Sequence, residues 1–315
     1  MNNLKTDCMS ATRRQFIRST AFTGASLLLS HPLLFSTEKK TTKLTILHTN
    51  DVHSRLDPFT DGNFKGKGGI AARAALVSEI RSVEAHVLLL DAGDMFQGTP
   101  YFNLYKGEPE IRAMSMLKYD AGTIGNHDYD AGIENLASQL TSHARFPIVV
   151  CNYDFRGTPM EHKHQPYHVI KKGDLTIGIT GVGIEMKGLV AEGLYGSTKY
   201  LDPVKQATET ASYLKEKKKC DMVICLSHLG DKYDDDKVSD EVLAQRSRNI
   251  DLVIGAHTHR FFKEPRVYTN EAGEKVMVNQ VGWGGIQLGR LDWEFERGSK
   301  KMLQNSQLVI VEKKL

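Results

Sequence analysis

Five short apolar runs in this 315-residue chain end in residues that metal ions favour, and that recurrence constrains the fold more than any other feature. Leu44–His48 runs out into Thr49-Asn50-Asp51-Val52-His53, and His86–Asp91 into Ala92-Gly93-Asp94. Gly122–Ile124 gives way to Gly125-Asn126-His127-Asp128. Asp221–Ser227 is followed by His228, and Asp251–Gly255 by Ala256-His257-Thr258-His259. Runs of this length, separated by segments of helical periodicity, read as strands with helical crossovers. In such sheets, ligand sites form outside the carboxyl ends of the strands. Alternate residues of an extended chain point the same way, so Asp51 and His53 can face one centre, as can His257 and His259. Asp-x-His alone is weak and Gly-Asp is a common turn. Their ordered succession, each at a strand end, is the signal.

The crossovers are expected at Ile70–Val83, Glu108–Leu117, Gly132–Leu140, Val204–Lys218 and Asp240–Arg248, where apolar residues recur at helical spacing. Ile148–Cys151 reads as a further strand. Tyr167–Ile170 and Leu175–Gly181, joined across Lys172-Gly173-Asp174, read as a hairpin. Strands at Lys275–Val281, Ile286–Glu296 and Gln307–Val311 close the chain. This order predicts an α/β (α+β) fold with two packed mixed sheets and outer helices. No repeat or Pro/Gly-rich boundary interrupts it, which leaves one catalytic domain over residues 37–315.

The formal charge of +3 resides at the N-terminus. Residues 1–36 hold Lys5, Arg13, Arg14 and Arg18 against Asp7 alone, so the remainder is close to neutral and offers no basic stripe for a nucleic-acid polymer. Thr12-Arg13-Arg14-Gln15-Phe16 precedes an apolar stretch, Ala21 to Phe35, cut by Gly24, Ser30 and Pro32. A charged start and a short, interrupted apolar core describe an export signal of the twin-arginine type and hence a periplasmic protein, touching membrane only through an uncleaved signal. Cys151, Cys220 and Cys225 follow it. Cys220 and Cys225 stand five residues apart on an apparent strand, a span of roughly 16 Å that excludes a bridge. Core cysteines are expected.

The order Asp-x-His, Gly-Asp, Gly-Asn-His-Asp, Ser-His, Gly-x-His-x-His resembles that of the calcineurin-like metallophosphoesterases. Leu47 to His53, Gly68-Gly69-Ile70-Ala71-Ala72-Arg73, Gly93-Asp94-Met95-Phe96-Gln97-Gly98-Thr99-Pro100 and Gly125 to Asp130 are similar to the catalytic domain of bacterial 5′-nucleotidases. The resemblance runs from residue 43 to about residue 296 and implies a four-layer αββα sandwich. It also implies two divalent metal ions. One would take Asp51, His53, Asp94 and His259, and the other Asp94, Asn126, His228 and His257, with Asp94 bridging. His259 stands where well-known nucleotidases carry Gln or Asn, although His is usual in the wider superfamily. Mixed carboxylate, amide and imidazole ligands suit Mn, Zn, Fe or Co without choosing among them. Two such ions roughly 3.5–4 Å apart can activate a water and clamp a phosphoryl group for in-line attack, so no protein nucleophile is required.

The leaving oxygen still needs a proton or charge stabilisation, for which His127, beside Asn126, is the candidate. By the resemblance Asp130 orients it, with Asp128 as the rival, and Asn126 and His127 meet the substrate phosphate. The expected substrate is a small phosphate ester, a nucleotide before any other. Alternatives on this scaffold are a 2′,3′-cyclic-nucleotide or UDP-sugar phosphodiesterase, a thiosulfohydrolase-like enzyme, and a metal-binding partner subunit of a split nucleotidase. The family usually continues into a second, base-stacking domain, whereas this chain stops at Leu315. The expectation is a separately encoded substrate domain, and a chain that alone meets nucleotides through their phosphate with little base discrimination. Glu161-His162-Lys163-His164 with His168, and Asp234-Asp235-Asp236, mimic metal sites but read as solvated loops, while Lys215–Lys219 complements a helix C-terminus.

Overall fold

In a computed structural model, residues 41–296 and 302–312 are described, and the expected export signal over residues 1–36 lies outside them. Lys40–Leu315 is one compact unit. In chain order its elements are β1 (Thr41–Thr49), α1 (Ile70–Val83), β2 (Val87–Asp91), α2 (Pro100–Tyr105), α3 (Glu108–Met116), β3 (Ala121–Gly122), α4 (Ile133–His143) and β4 (Tyr153–Asp154). There follow β5 (Tyr167–Lys172), β6 (Leu175–Val182), α5 (Glu192–Tyr195), β7 (Lys199–Tyr200), α6 (Pro203–Glu216), β8 (Met222–Ser227), α7 (Asp240–Arg246) and β9 (Leu252–Ile254). The last four are β10 (Arg266–Thr269), β11 (Lys275–Asn279), β12 (Gln287–Glu296) and β13 (Met302–Ile310).

Among the described residues the first sheet has the order β13-β12-β1-β2-β3 and the second β10-β11-β9-β8-β6-β5, with β4 and β7 paired apart. Both sheets are mixed. β1, β2 and β3 run parallel, and β12 joins β1 antiparallel. β6, β8, β9 and β11 run parallel, flanked by antiparallel β5 and β10. The parallel direction is shared by the five strands whose ends carry Asp, Asn and His, so those ends collect at one rim.

Period-two alternation sorts the apolar residues into layers. Leu44, Ile46, Leu88 and Leu90 of the first sheet meet Ile177, Ile179, Ile224, Leu226 and Ile254 of the second in one buried cluster between the sheets. The alternate residues Val223, Cys225 and Val253 face outward and pack on Ala207, Ala211 and Leu214 of α6 and on Leu243 and Ala244 of α7. Central strands covered on both faces need apolar residues throughout, and all six residues of β8 are buried. On the far side, α1, α3 and α4 bury Val77 and Ile80, Ile111 and Met114, and Leu136 and Leu140. The result is the αββα sandwich. Helix α6 starts where Asp202 accepts a hydrogen bond from Lys205 N at 3.0 Å and Pro203 needs no donor partner. Cys151, Cys220 and Cys225 are free and buried, as core residues should be.

One expected strand is not there. Ile148–Cys151 makes isolated bridges from Ile148 to Gly122 and from Val149 to Gln165. Val149 N donates to Gly122 O in the first sheet, while Cys151 N donates to Gly181 O in the second. The segment crosses from one sheet to the other, so it cannot build a ladder with either. Deleting side-chain volume between the sheets should be costly. Leu226→Ala is expected to lower unfolding free energy by about 2–5 kcal/mol. Met116→Ala, at an 81% exposed position, should change it by less than about 0.5 kcal/mol. Paired denaturant titrations check both values.

Candidate metal centre

At the rim the chain leaves its strands by unusual backbone. Asp51, His53, Asp94, His257 and His259 all have φ between 49° and 69°. For L-residues this left-handed region costs about 1–2 kcal/mol each, and it persists only where surrounding bonds enforce it. The bonds are present. Asp51 N donates to Gly93 O at 2.9 Å, His53 N to Asp94 O at 3.0 Å, and His257 N to the Asp51 carboxylate at 3.0 Å. Asn50 Nδ2 donates to Asp51 Oδ2 and to Gly282 O, each at 2.6 Å, and Asn50 Oδ1 accepts from Val281 N at 3.0 Å. Sequence reasoning does not single out Asn50, because an amide beside an Asp-x-His pair carries no spacing signal.

Glycine is required where two of these loops touch. A Cβ on Gly125 would lie 2.1 Å from Asp94 Oδ1, and one on Gly93 would lie 2.6 Å from Gly125 N. Asp128 clips the same contact from below. Its buried carboxylate accepts from Asp94 N (3.1 Å), Met95 N (2.9 Å), Phe96 N (3.0 Å) and Gly125 N (2.8 Å). Burial, and then the neighbouring Asp94, push this carboxyl up to about 7.

The side chains gather into two groups, Asp51 with His53 and His259, and Asp94 with His228 and His257, the ligand atoms of each lying within 4.8 Å of one another. Asn126 Oδ1 joins the second group, 2.8 Å from His257 Nδ1. Asp94 lies between the two, with Oδ2 3.1 Å from His228 Nε2 and 3.8 Å from His53 Nε2. Each group draws on both sheets: Asp51, His53, Asp94 and Asn126 follow strands of the first, and His228, His257 and His259 strands of the second.

The arrangement suits cations. His228 Nδ1 donates to Ala92 O at 2.8 Å, which aims buried Nε2 at Asp94 Oδ2, 3.1 Å away, a contact that is favourable only with a proton or a cation on the nitrogen. His53 Nε2 and His259 Nε2 approach to 3.0 Å, and His259 Nε2 lies 3.5 Å from Asp51 Oδ1. So many acceptors in a buried space are repulsive unless positive charge sits among them. Protons register the same demand. Burial alone would push His228 down, but Asp94 and Asp51 pull it up to about 10, and His228 in turn holds the buried Asp94 carboxyl well below its usual range. Burial and His228 push His257 down to about 4, which keeps its imidazole neutral. Nitrogen, amide and carboxylate donors in this mixture fit divalent transition metals.

His127 lies beside the groups with its ring 5.4 Å from that of His53. Its Nδ1 is 2.9 Å from Asp130 Oδ2, whereas Asp128 points into the loop, so the geometry favours Asp130 as its partner. The hydrogen bond to Asp130 raises the His127 imidazolium against the opposing effect of burial. The other histidine-rich segment stays apart. His162 is exposed beside Glu161 at 3.6 Å, and His164 packs edge-on against Phe155. Among the described residues, both candidate ligand groups are at the rim.

Comparison with known proteins agrees with this geometry. The family model described as calcineurin-like phosphoesterase matches residues 44–261. The human 5′-nucleotidase is 35% identical over 281 residues, covering 82% of this chain and 47% of that protein. A 5′-nucleotidase precursor from Thermus thermophilus superposes with a TM-score of 0.77 at 31% identity, covering 86% of this chain and 55% of that one. The NAD nucleotidase of Haemophilus influenzae gives 0.77 at 26% identity, covering 87% and 57%. The chain thus spans about half the length of the relatives it matches. Two substitutions test the centre. Asp94→Ala should abolish metal retention, and Gly125→Ala should reduce it severely because the new methyl displaces the same carboxylate. Elemental analysis of the refilled, folded variants gives metal per chain, and wild-type stoichiometry in either would contradict the assignment.

Proposed function

The chain belongs to the calcineurin-like phosphoesterase family, and on that premise we propose that it is a two-metal phosphatase acting on phosphate monoesters, with nucleoside 5′-monophosphates as its substrates. One observation carries this reading. The two ligand groups meet at Asp94, and a half-exposed His127, held at Nδ1 by Asp130, stands beside them facing the open side. The bound ions would supply neutralisation of phosphoryl charge and an activated water. The chain's own residues do the rest. The Asn126 amide and the His127 ring border the place for the phosphoryl oxygens. Asp130 accepts a hydrogen bond from Nδ1–H and so supports the imidazolium, which leaves the Nε2 proton to pass to the departing ester oxygen. His127 N donates to Asp94 Oδ1 at 2.8 Å, which ties the position of this acid to that of the shared carboxylate. The nucleotide assignment draws its support from relatives that are themselves 5′-nucleotidases.

With Mn, Co or Zn supplied, the purified protein should hydrolyse aryl phosphates and AMP, and chelation should abolish both activities. His127→Ala should lose roughly 10²–10⁴-fold in kcat while keeping its metals. Asp130→Asn should reproduce part of that loss with metal content unchanged. If His127→Ala shed metal as readily as Asp94→Ala, its role would be that of a ligand and not of an acid.

The proposed location is the periplasm, reached by twin-arginine export, on the strength of Arg13-Arg14 ahead of the apolar stretch. Replacing both arginines with lysine should retain the protein in the cytosolic fraction. Unchanged delivery to the periplasm, read by fractionation, would remove this part of the proposal.

A further inference from the structure

A wall of aromatic rings begins at a metal ligand and runs outward. The His259 ring stacks on the Trp283 indole with centroids 5.9 Å apart and planes 16° from parallel. Trp283 meets Phe59 at 5.3 Å and Phe64 at 6.4 Å, both at right angles, and Phe64 stacks on Phe261 at 5.9 Å. Phe59, Phe64 and Trp283 are half-buried, and Phe261 is exposed. The wall is a built feature. A Cβ on Gly282 would lie 2.2 Å from the Phe261 ring and one on Gly284 2.8 Å from Phe59, both at positive φ, so these glycines exist where the rings need room. The same loop is fixed to the centre, because Gly284 N donates to Asp51 O at 2.7 Å. Cations flank the rings, with the Arg55 guanidinium 4.1 Å above Phe59 and Lys67 Nζ 5.9 Å from Phe64.

We propose that Trp283, Phe64 and Phe261 form the surface on which the nucleobase of the substrate stacks while its phosphate occupies the rim. This rests on the phosphatase reading above and adds the part of the substrate that determines preference. A wall continuous with a ligand ring is placed for the group attached to the phosphate, and flat partially exposed rings flanked by cations suit a flat aromatic group in an anionic molecule. Stacking accepts every base, because each has a π-face, so the surface distinguishes nucleotides from base-free esters and not one base from another. This departs from the expectation that the chain alone meets nucleotides mainly through their phosphate.

AMP and ribose 5-phosphate differ only in the base and supply the test. The metal-loaded full chain should turn over AMP with kcat/KM roughly tenfold above ribose 5-phosphate, mainly through KM. Phe64→Leu and Phe261→Leu, which keep apolar bulk and touch no ligand, should remove most of that preference. Both should leave ribose 5-phosphate turnover within about twofold, and Phe64→Tyr should retain the preference. A second readout does not need turnover. The chain has two tryptophans, of which Trp293 is buried in the core, so AMP should quench the fluorescence of Trp283 and ribose 5-phosphate should not. Equal kcat/KM for the two wild-type substrates, or variants that slow both alike, would overturn the stacking surface with the phosphatase reading intact. Failure to hydrolyse any phosphate ester would sink that reading instead, and absence of quenching by AMP would then sink the stacking surface as well.

Discussion

The rim crowds two carboxylates, an amide oxygen and four imidazoles into a space where most of them are shielded from water, and that crowding has to be neutralised by positive charge. Asp51 and Asp94 are almost wholly buried, and His228 is completely so. Repulsion among such acceptors would open the loops if each group were free to turn away. Backbone amides prevent it: Asp51 is held through His257 N, Asp94 through His127 N, and Asp128 behind them through four amides of its own. Of the five candidate ligands with left-handed backbone, Asp51, His53, Asp94 and His257 have their backbone amides hydrogen-bonded within the rim. Electrostatic frustration at the rim is the condition under which a divalent ion finds a preorganised site, because the chain has already met the cost of assembling the ligands.

The rest of the molecule is what makes such a rim sustainable. Leu44, Ile46, Leu88, Leu90, Ile224 and Leu226 fill the space between the sheets with no exposure. Polar contacts cross that space sparingly, as where Asn279 of β11 meets His48 of β1 at 2.8 Å. A dry, tightly packed interior holds the strand ends in one relation to one another, and this stiffness gives the loops their precision.

Much of this was legible in the chain itself, for local reasons. The Ile70–Val83 helix is marked by its own periodicity, and the ligands stand at the ends of apolar runs whose direction can be inferred from crossovers. What was illegible is non-local or lacks an apolar face. Arg266–Thr269 is an exposed edge strand, so it shows no alternation of buried and exposed residues. Ile148–Cys151 reads as a strand by composition, yet the chain is divided between two sheets there. Asp130 and Asp128 are alike in sequence, and only the turn at His127–Tyr129 decides which carboxylate reaches the imidazole and which reaches the amides. The stack of Trp283 on His259 joins residues with no common motif.

Because each ligand group takes side chains from both sheets, a bound ion would act as a rivet through a two-ply laminate, set at one edge. Plies fastened at one edge cannot slide there, and any shear between them must grow with distance from the fastening. The amino ends of the parallel strands, such as the turn into β8 at Asp221, lie at the opposite end of those strands from the rivet. Insertions and sequence drift at that remote edge can therefore be absorbed without altering the spacing at which the chemistry is set. The same changes at the riveted edge would transmit directly to it.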